Sequence, residues 1–241
     1  MPPSWFLMSL DERRAHRRPP LVNIVRNTSG GVETVVNSVY RDVVLLFAPT
    51  TARFLTSASN TPDPNITQTL RLPAEAQPIG VRLLISWIRT ACRSHIALPP
   101  PEEGARFHET VYLHHALELF GMETEAEQYK SYIHRTVCCL QLDVVAVQAV
   151  WETMPEDSEL VRLMIRKTAA RFVNETIEGF GAIDTYVDTQ PELRRRLDAG
   201  ENAIWAANNV PSFHESLVRT YMRERAECEQ GDAGRERSPR E

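Results

Sequence analysis

Residues 69–137 limit what this chain can fold into more than any other stretch. Thr69-Leu70-Arg71-Leu72 reads as a short strand, stopped by Pro73, which has no amide to continue a ladder. Leu84, Trp87, Ile88 and Ala91 then recur at helical spacing, which predicts a helix with one apolar face. Pro99-Pro100-Pro101 forbids helix and predicts an exposed bend. A second apolar stripe, Leu113, Ala116, Leu117 and Phe120, ends at Gly121, a residue suited to the left-handed position that closes a helix. Thr124-Glu125-Ala126-Glu127 has the form of a capping box, after which Tyr129, Ile133 and Val137 line a further helix. Strand, helix and helical hairpin in that order predict an α+β chain.

Upstream, Leu21-Val22-Asn23-Ile24-Val25 and Val32–Asn37 are β-branched enough for two strands, with Asn27–Gly31 as the turn between them. A helix is expected from about Val39 to Phe47, ended by Pro49, and a second short helix over Thr51–Ser57. Ser59–Gln68, with two prolines, reads as a loop. Downstream, helices are expected at Val144–Trp151 and Ser158–Val173. A short Arg-rich helix over Pro191–Leu197 is interrupted at Gly200 and continues over Asn202–Trp205. Ser212-Phe213-His214-Glu215 opens a last helix through Leu217, Val218 and Tyr221.

These segments resemble the BTB/POZ fold, and the residues carry the resemblance further than the order does. Val39-Tyr40-Arg41-Asp42-Val43-Val44-Leu45-Leu46-Phe47-Ala48-Pro49 is similar to the family's segment after its second strand, where a helix ends in a small residue and proline. Phe54 sits where an aromatic usually follows. Thr69–Pro73 is similar to the third strand and its exit, Leu83–Ile88 to the next helix, and Leu113–Met122 to the Ala- and Leu-rich stretch ending in Gly plus an apolar residue. The likeness covers roughly residues 20–175 and includes helices that follow the domain in many fungal BTB-like proteins. It departs at Pro19-Pro20, where an acidic residue is usual, and at Tyr40, where histidine is.

The resemblance implies a small β-sheet covered by helices, followed by additional C-terminal helices. The expected organisation is a disordered tail at 1–19, a BTB/POZ-like domain at 20–140, a helical extension at 141–226 and a disordered tail at 227–241. It also implies a protein–protein interaction module, a scaffold or adaptor able to self-associate, with no catalysis. Family dimers often use the segment before the first strand, so Trp5, Phe6, Leu7 and Leu10 are the candidate interface: large apolar side chains in a tail suggest a use. The cullin-type ubiquitin ligase is a family partner, but around Pro99–Pro101 there is no apolar-x-Glu element of the kind associated with it.

Other chemistries find little support in the residues. The net charge of −5 gives no field that attracts nucleic acid, although the 27 basic residues are nearly all Arg, only Lys130 and Lys167 being Lys. Arg13-Arg14-Ala15-His16-Arg17-Arg18 is the one basic cluster. It favours a solvated tail over the alternative, a nuclear regulator that uses it for import or nucleic-acid contact. His134 and Cys138 share a helix face at a spacing that suits two metal ligands, yet no second pair completes a site, so neither metal nor cofactor is expected. His114 and His115 are adjacent on a helix and face different ways. Cys138-Cys139 reads as two buried small hydrophobes rather than a redox pair. Ser29-Gly30-Gly31 lacks the lysine of a phosphate loop. No stretch has the ~20 apolar residues of a membrane span. Four irregular cysteines and a short apolar N-terminus followed by Asp11-Glu12 predict an intracellular protein, in cytoplasm or nucleus.

Overall fold

The computed structural model describes residues 4–57, 65–94, 106–139, 142–174 and 180–207. It is α+β, a four-stranded mixed sheet with helices. Contacts divide the chain into Met1–Leu140 with Val145–Val161, and Gln141–Val144 with Arg162–Glu241. Val145–Val161, within the stretch read as a helical extension, falls in the first of these units. The Pro99–Pro101 bend, the helix after Ser212 and the 227–241 tail lie outside the described residues.

The first unit is organised by its sheet, in the order β2-β1-β4-β3. β1 (Leu21–Thr28) and β2 (Gly31–Tyr40) form the antiparallel hairpin, and Gly31 supplies the φ of +129° after the Ser29-Gly30 turn. The register slips on either side of Ile24, with Ser38 at a φ of 50°. The Asn23 side chain accepts from the Ser38 amide at 3.0 Å, which gives that amide a partner beside the irregular ladder. β4 (Ile66–Leu72) runs parallel to β1, and parallel neighbours need a crossover. Helix α2 (Arg41–Phe47), a 3-10 turn at Pro49–Phe54 and the short β3 (Leu55–Ser57) provide it. The second helix expected over Thr51–Ser57 is thus half turn and half strand. Pro49 presets the first φ of the turn, the Thr51 hydroxyl donates to the Ala48 carbonyl at 2.6 Å, and Leu55 then pairs with Leu70. β4 also begins at Ile66, within the stretch read as a loop.

Val22, Ile24, Leu70 and Leu72 of the sheet bury against Val43, Val44 and Phe47 of α2 and against Val81, Leu84, Ile85 and Ile88 of helix α3 (Pro78–Ala91). Helix α4 (Phe107–Leu119) adds Leu117, with Phe120 just beyond its end. Gly80 lets α3 lie directly on α4, since a Cβ there would collide with the Tyr112 carbonyl. α4 ends as its sequence predicts, at Gly121 with a φ of +68°. The Met122 amide donates to the Leu117 carbonyl at 2.9 Å and the Gly121 amide to that of Glu118 at 3.0 Å, the two bonds of a Schellman closure. Helix α5 (Glu123–Cys139) starts immediately afterwards, so Thr124 lies inside its first turn and not at its cap. Helix α6 (Val144–Thr153) follows.

Helix α7 (Glu159–Val173) carries the boundary between units, after Val161. The Ser158 hydroxyl, just before this helix, accepts from the Val161 amide at 3.2 Å. In the second unit, helix α8 (Phe180–Asp188) precedes helix α9 (Pro191–Ala207). Gly200 does not interrupt α9. A Cβ there would stand 3.2 Å from that of Ala169, so glycine serves close packing on α7 rather than a break. Arg194 holds the α8–α9 corner by bonding Asp184 and Asp188, each at 2.6 Å.

Candidate functional site

The four residues expected to form an interface from a disordered tail have different fates. Residues 4–16 are folded: a 3-10 turn at Ser4–Leu7, then helix α1 (Leu10–Ala15). The cause is a capping box at Ser9-Leu10-Asp11-Glu12, together with an indole that finds a home. Ser9 donates its amide to the Glu12 carboxylate at 2.7 Å, and the Glu12 amide donates back to the Ser9 hydroxyl at 3.2 Å. The Ser9 amide and hydroxyl hold the Glu12 carboxyl below its usual range. Trp5 is 5% exposed, its ring 4.8 Å from Phe47 and 5.5 Å edge-on from Trp87. Buried within its own unit, Trp5 cannot itself meet a partner.

Leu7 remains 76% exposed, Leu10 is half-buried, and of Phe6 only the backbone is described. The basic cluster is drawn in only at Arg13, while Arg14, Arg17 and Arg18 remain exposed. Arg13 is buried, and Arg14 donates to the Arg93 carbonyl at 3.2 Å and faces Asp11 at 3.4 Å. On α3, the stripe that ends at Trp87 continues outward through Leu83 (36% exposed) and Ile79 (43%). The Trp5 ring, two residues before Leu7, touches that of Trp87, one turn after Leu83.

A polar cavity of about 580 Å³ lies in the same unit, bounded by α4, α5 and the turn leading into α7. His114 and Glu118 come from α4, Glu127, Lys130 and His134 from α5, and Glu159 from α7. His114 is 2% exposed and neither ring nitrogen has a hydrogen-bond partner. Its Nδ1 is 3.6 Å from Glu118 Oε2, beyond hydrogen-bond range. Burial, then the neighbouring His115 and Lys130, push the His114 imidazole down to about 4, so it is neutral at physiological pH. Burial also pushes the Glu118 carboxyl up, against the pull of Lys130.

The adjacent histidines do part company: His114 lines the cavity, whereas the charge acting on the buried His115 is that of Glu75. Cys138 Sγ and His134 Nδ1 lie 4.0 Å apart, a weak hydrogen-bond contact within one helix. Among the described residues, no three His, Cys, Asp or Glu side chains converge on a metal position. Cys139 is exposed and Cys138 half-buried, so neither is the fully buried hydrophobe expected. The cavity had no signature in the sequence beyond His114 and Glu118 one helical turn apart, because its other walls come from distant segments. No described helix is long and apolar enough to cross a membrane. Comparison with family models, with curated proteins and with solved structures gives no match.

Proposed function

We propose that the chain is a protein–protein recognition module of the BTB/POZ kind, acting as a scaffold or adaptor, able to self-associate, and without catalysis. The observation that carries this reading is the exposure of Leu7, Ile79 and Leu83: Ile79 and Leu83 stand one turn apart on the helix of Trp87, and the Trp87 ring touches that of Trp5, two residues before Leu7. Apolar side chains grouped on one face gain free energy when a partner covers them, and a polar rim then selects the partner. The element order supports the family reading: hairpin, α2 and turn, a strand parallel to β1, α3, then the α4–Gly121–α5 hairpin.

The test substitutes Leu7→Asp together with Leu83→Asp, both on exposed positions that leave the core intact. Light scattering of the full chain over a wide concentration range is expected to show a mass above one chain that the double variant loses. Cross-linked capture from the native organism is expected to yield proteins that the variant no longer holds. Single-chain mass at every concentration contradicts self-association. Capture of the same proteins by both forms contradicts the surface.

A further inference from the structure

We propose that the cavity between α4, α5 and the start of α7 binds an organic cation, a guanidinium or primary ammonium group, between Glu118 and Glu159 with His114 as its neutral acceptor. The first reason is the orphaned imidazole. A histidine 2% exposed, with both nitrogens unpartnered on the wall of a cavity, is a polar group awaiting a partner. Its neutral form has one lone pair to offer a donor.

The second reason is charge. Three carboxylates line the cavity, those of Glu118, Glu127 and Glu159, against one ammonium, Lys130. Lys130 Nζ stands 3.6 Å from Glu127 Oε2. Glu118 lies 3.6 Å from His114 Nδ1 and within the field of Lys130, and Glu159 lies 3.8 Å from His134 Nε2. An anion would meet this excess of carboxylate unfavourably, whereas a cation offsets it and relieves the desolvated Glu118. A metal ion is disfavoured because no three such donors converge among the described residues. The third reason is shape. At about 580 Å³ the cavity is of ligand size, and the buried Met154 and Leu160 with Pro155 offer an apolar wall for an alkyl stem.

This inference is independent of the family reading and of the Leu7–Leu83 surface. It is tested with the full chain, labelled in its histidine rings and titrated with N-acetyl-arginine amide, followed by NMR. Saturable movement of the His114 ring resonances is expected. N-acetyl-citrulline amide, the neutral isostere, and the Glu118→Gln variant should each weaken binding by at least about tenfold, because each removes a charge-assisted hydrogen bond. Glu118 is half-exposed, so this variant should fold; His114→Phe, which removes the acceptor, is expected to abolish binding if it folds. A pentapeptide with a central arginine tells the sources apart. Binding assigns the site to a basic side chain of a protein, and exclusion assigns it to a free small cation. Absence of any saturable shift, or equal binding of the citrulline compound, overturns the proposal.

Discussion

Replacing Trp5 with Ala measures how firmly residues 4–16 belong to the first unit. An indole of this kind buries about 200 Å², which at about 25 cal/mol per Å² sets an upper value near 5 kcal/mol. Core Trp→Ala substitutions cost about 3–5 kcal/mol when the backbone is fixed by its surroundings. Here it is fixed only in part. The chain can release residues 4–16 and recover their conformational entropy, so the loss cannot exceed the net free energy with which the segment docks. The expected cost is therefore about 2–4 kcal/mol, below that of an anchored core tryptophan. The same limit makes the substitution redundant with removal of the segment. Trp5→Ala and deletion of residues 1–16 should agree within about 0.5 kcal/mol, and combining Trp5→Ala with Phe47→Ala should be non-additive, because the rings lie 4.8 Å apart. Urea unfolding followed by far-ultraviolet circular dichroism gives these values. A cost below about 0.5 kcal/mol for Trp5→Ala, typical of a surface position, would refute the docking of the segment.

Gly80→Ala should destabilise the first unit by at least about 2 kcal/mol in the same assay, since its Cβ meets the backbone carbonyl of Tyr112 rather than a flexible side chain. Gly121→Ala should cost about 1–2 kcal/mol for the left-handed backbone, and more because the new Cβ meets Thr50, whose hydroxyl donates to the Phe120 carbonyl at 2.7 Å. Glu201→Gln should stabilise the second unit in a pH-dependent way. Burial, with Asp198 next, raises the Glu201 carboxyl to about 7, so the folded state binds its proton more tightly than the unfolded state. The penalty is absent below the ordinary carboxylate range and grows as pH rises to about 7. The variant should therefore gain up to about 3 kcal/mol at alkaline pH and nothing in acid, as thermal melts at the two extremes will show. Equal gain at both would contradict the assignment.

What the sequence displayed depended on whether the governing interaction was local. The hairpin turn at Ser29–Gly31, the α3 stripe of Leu84, Trp87 and Ile88, and the α4 ending at Gly121 were legible because backbone freedom and periodicity fix them within a few residues. The signal for α1 was also present, Ser9 followed by Glu12, but the prolines and arginines around it favoured a tail. What tipped the balance was the contact of Trp5 with Phe47 and Trp87, far along the chain. Thr124–Glu127 had the form of a cap and is not one, because the Schellman turn passes directly into Glu123. β3 is too short for periodicity and exists by pairing with β4. Gly200 misled because glycine reads as a break when its neighbour, Ala169, lies on another helix. The polar cavity was hidden for the same reason: His114 and Glu159 line one cavity only once α4, α5 and the start of α7 have come together.

The central claim is that the face carrying Leu7 and Leu83 is where a partner sits. Hydroxyl-radical footprinting of the chain, alone and in its cross-linked complex, tests it residue by residue. The account predicts that labelling of Leu7, Ile79 and Leu83 falls on complex formation while that of Val145, an apolar side chain on α6 about as exposed as Ile79 and Leu83, is unchanged. Undiminished labelling at Leu7 and Leu83, or protection at Val145 alone, would contradict it.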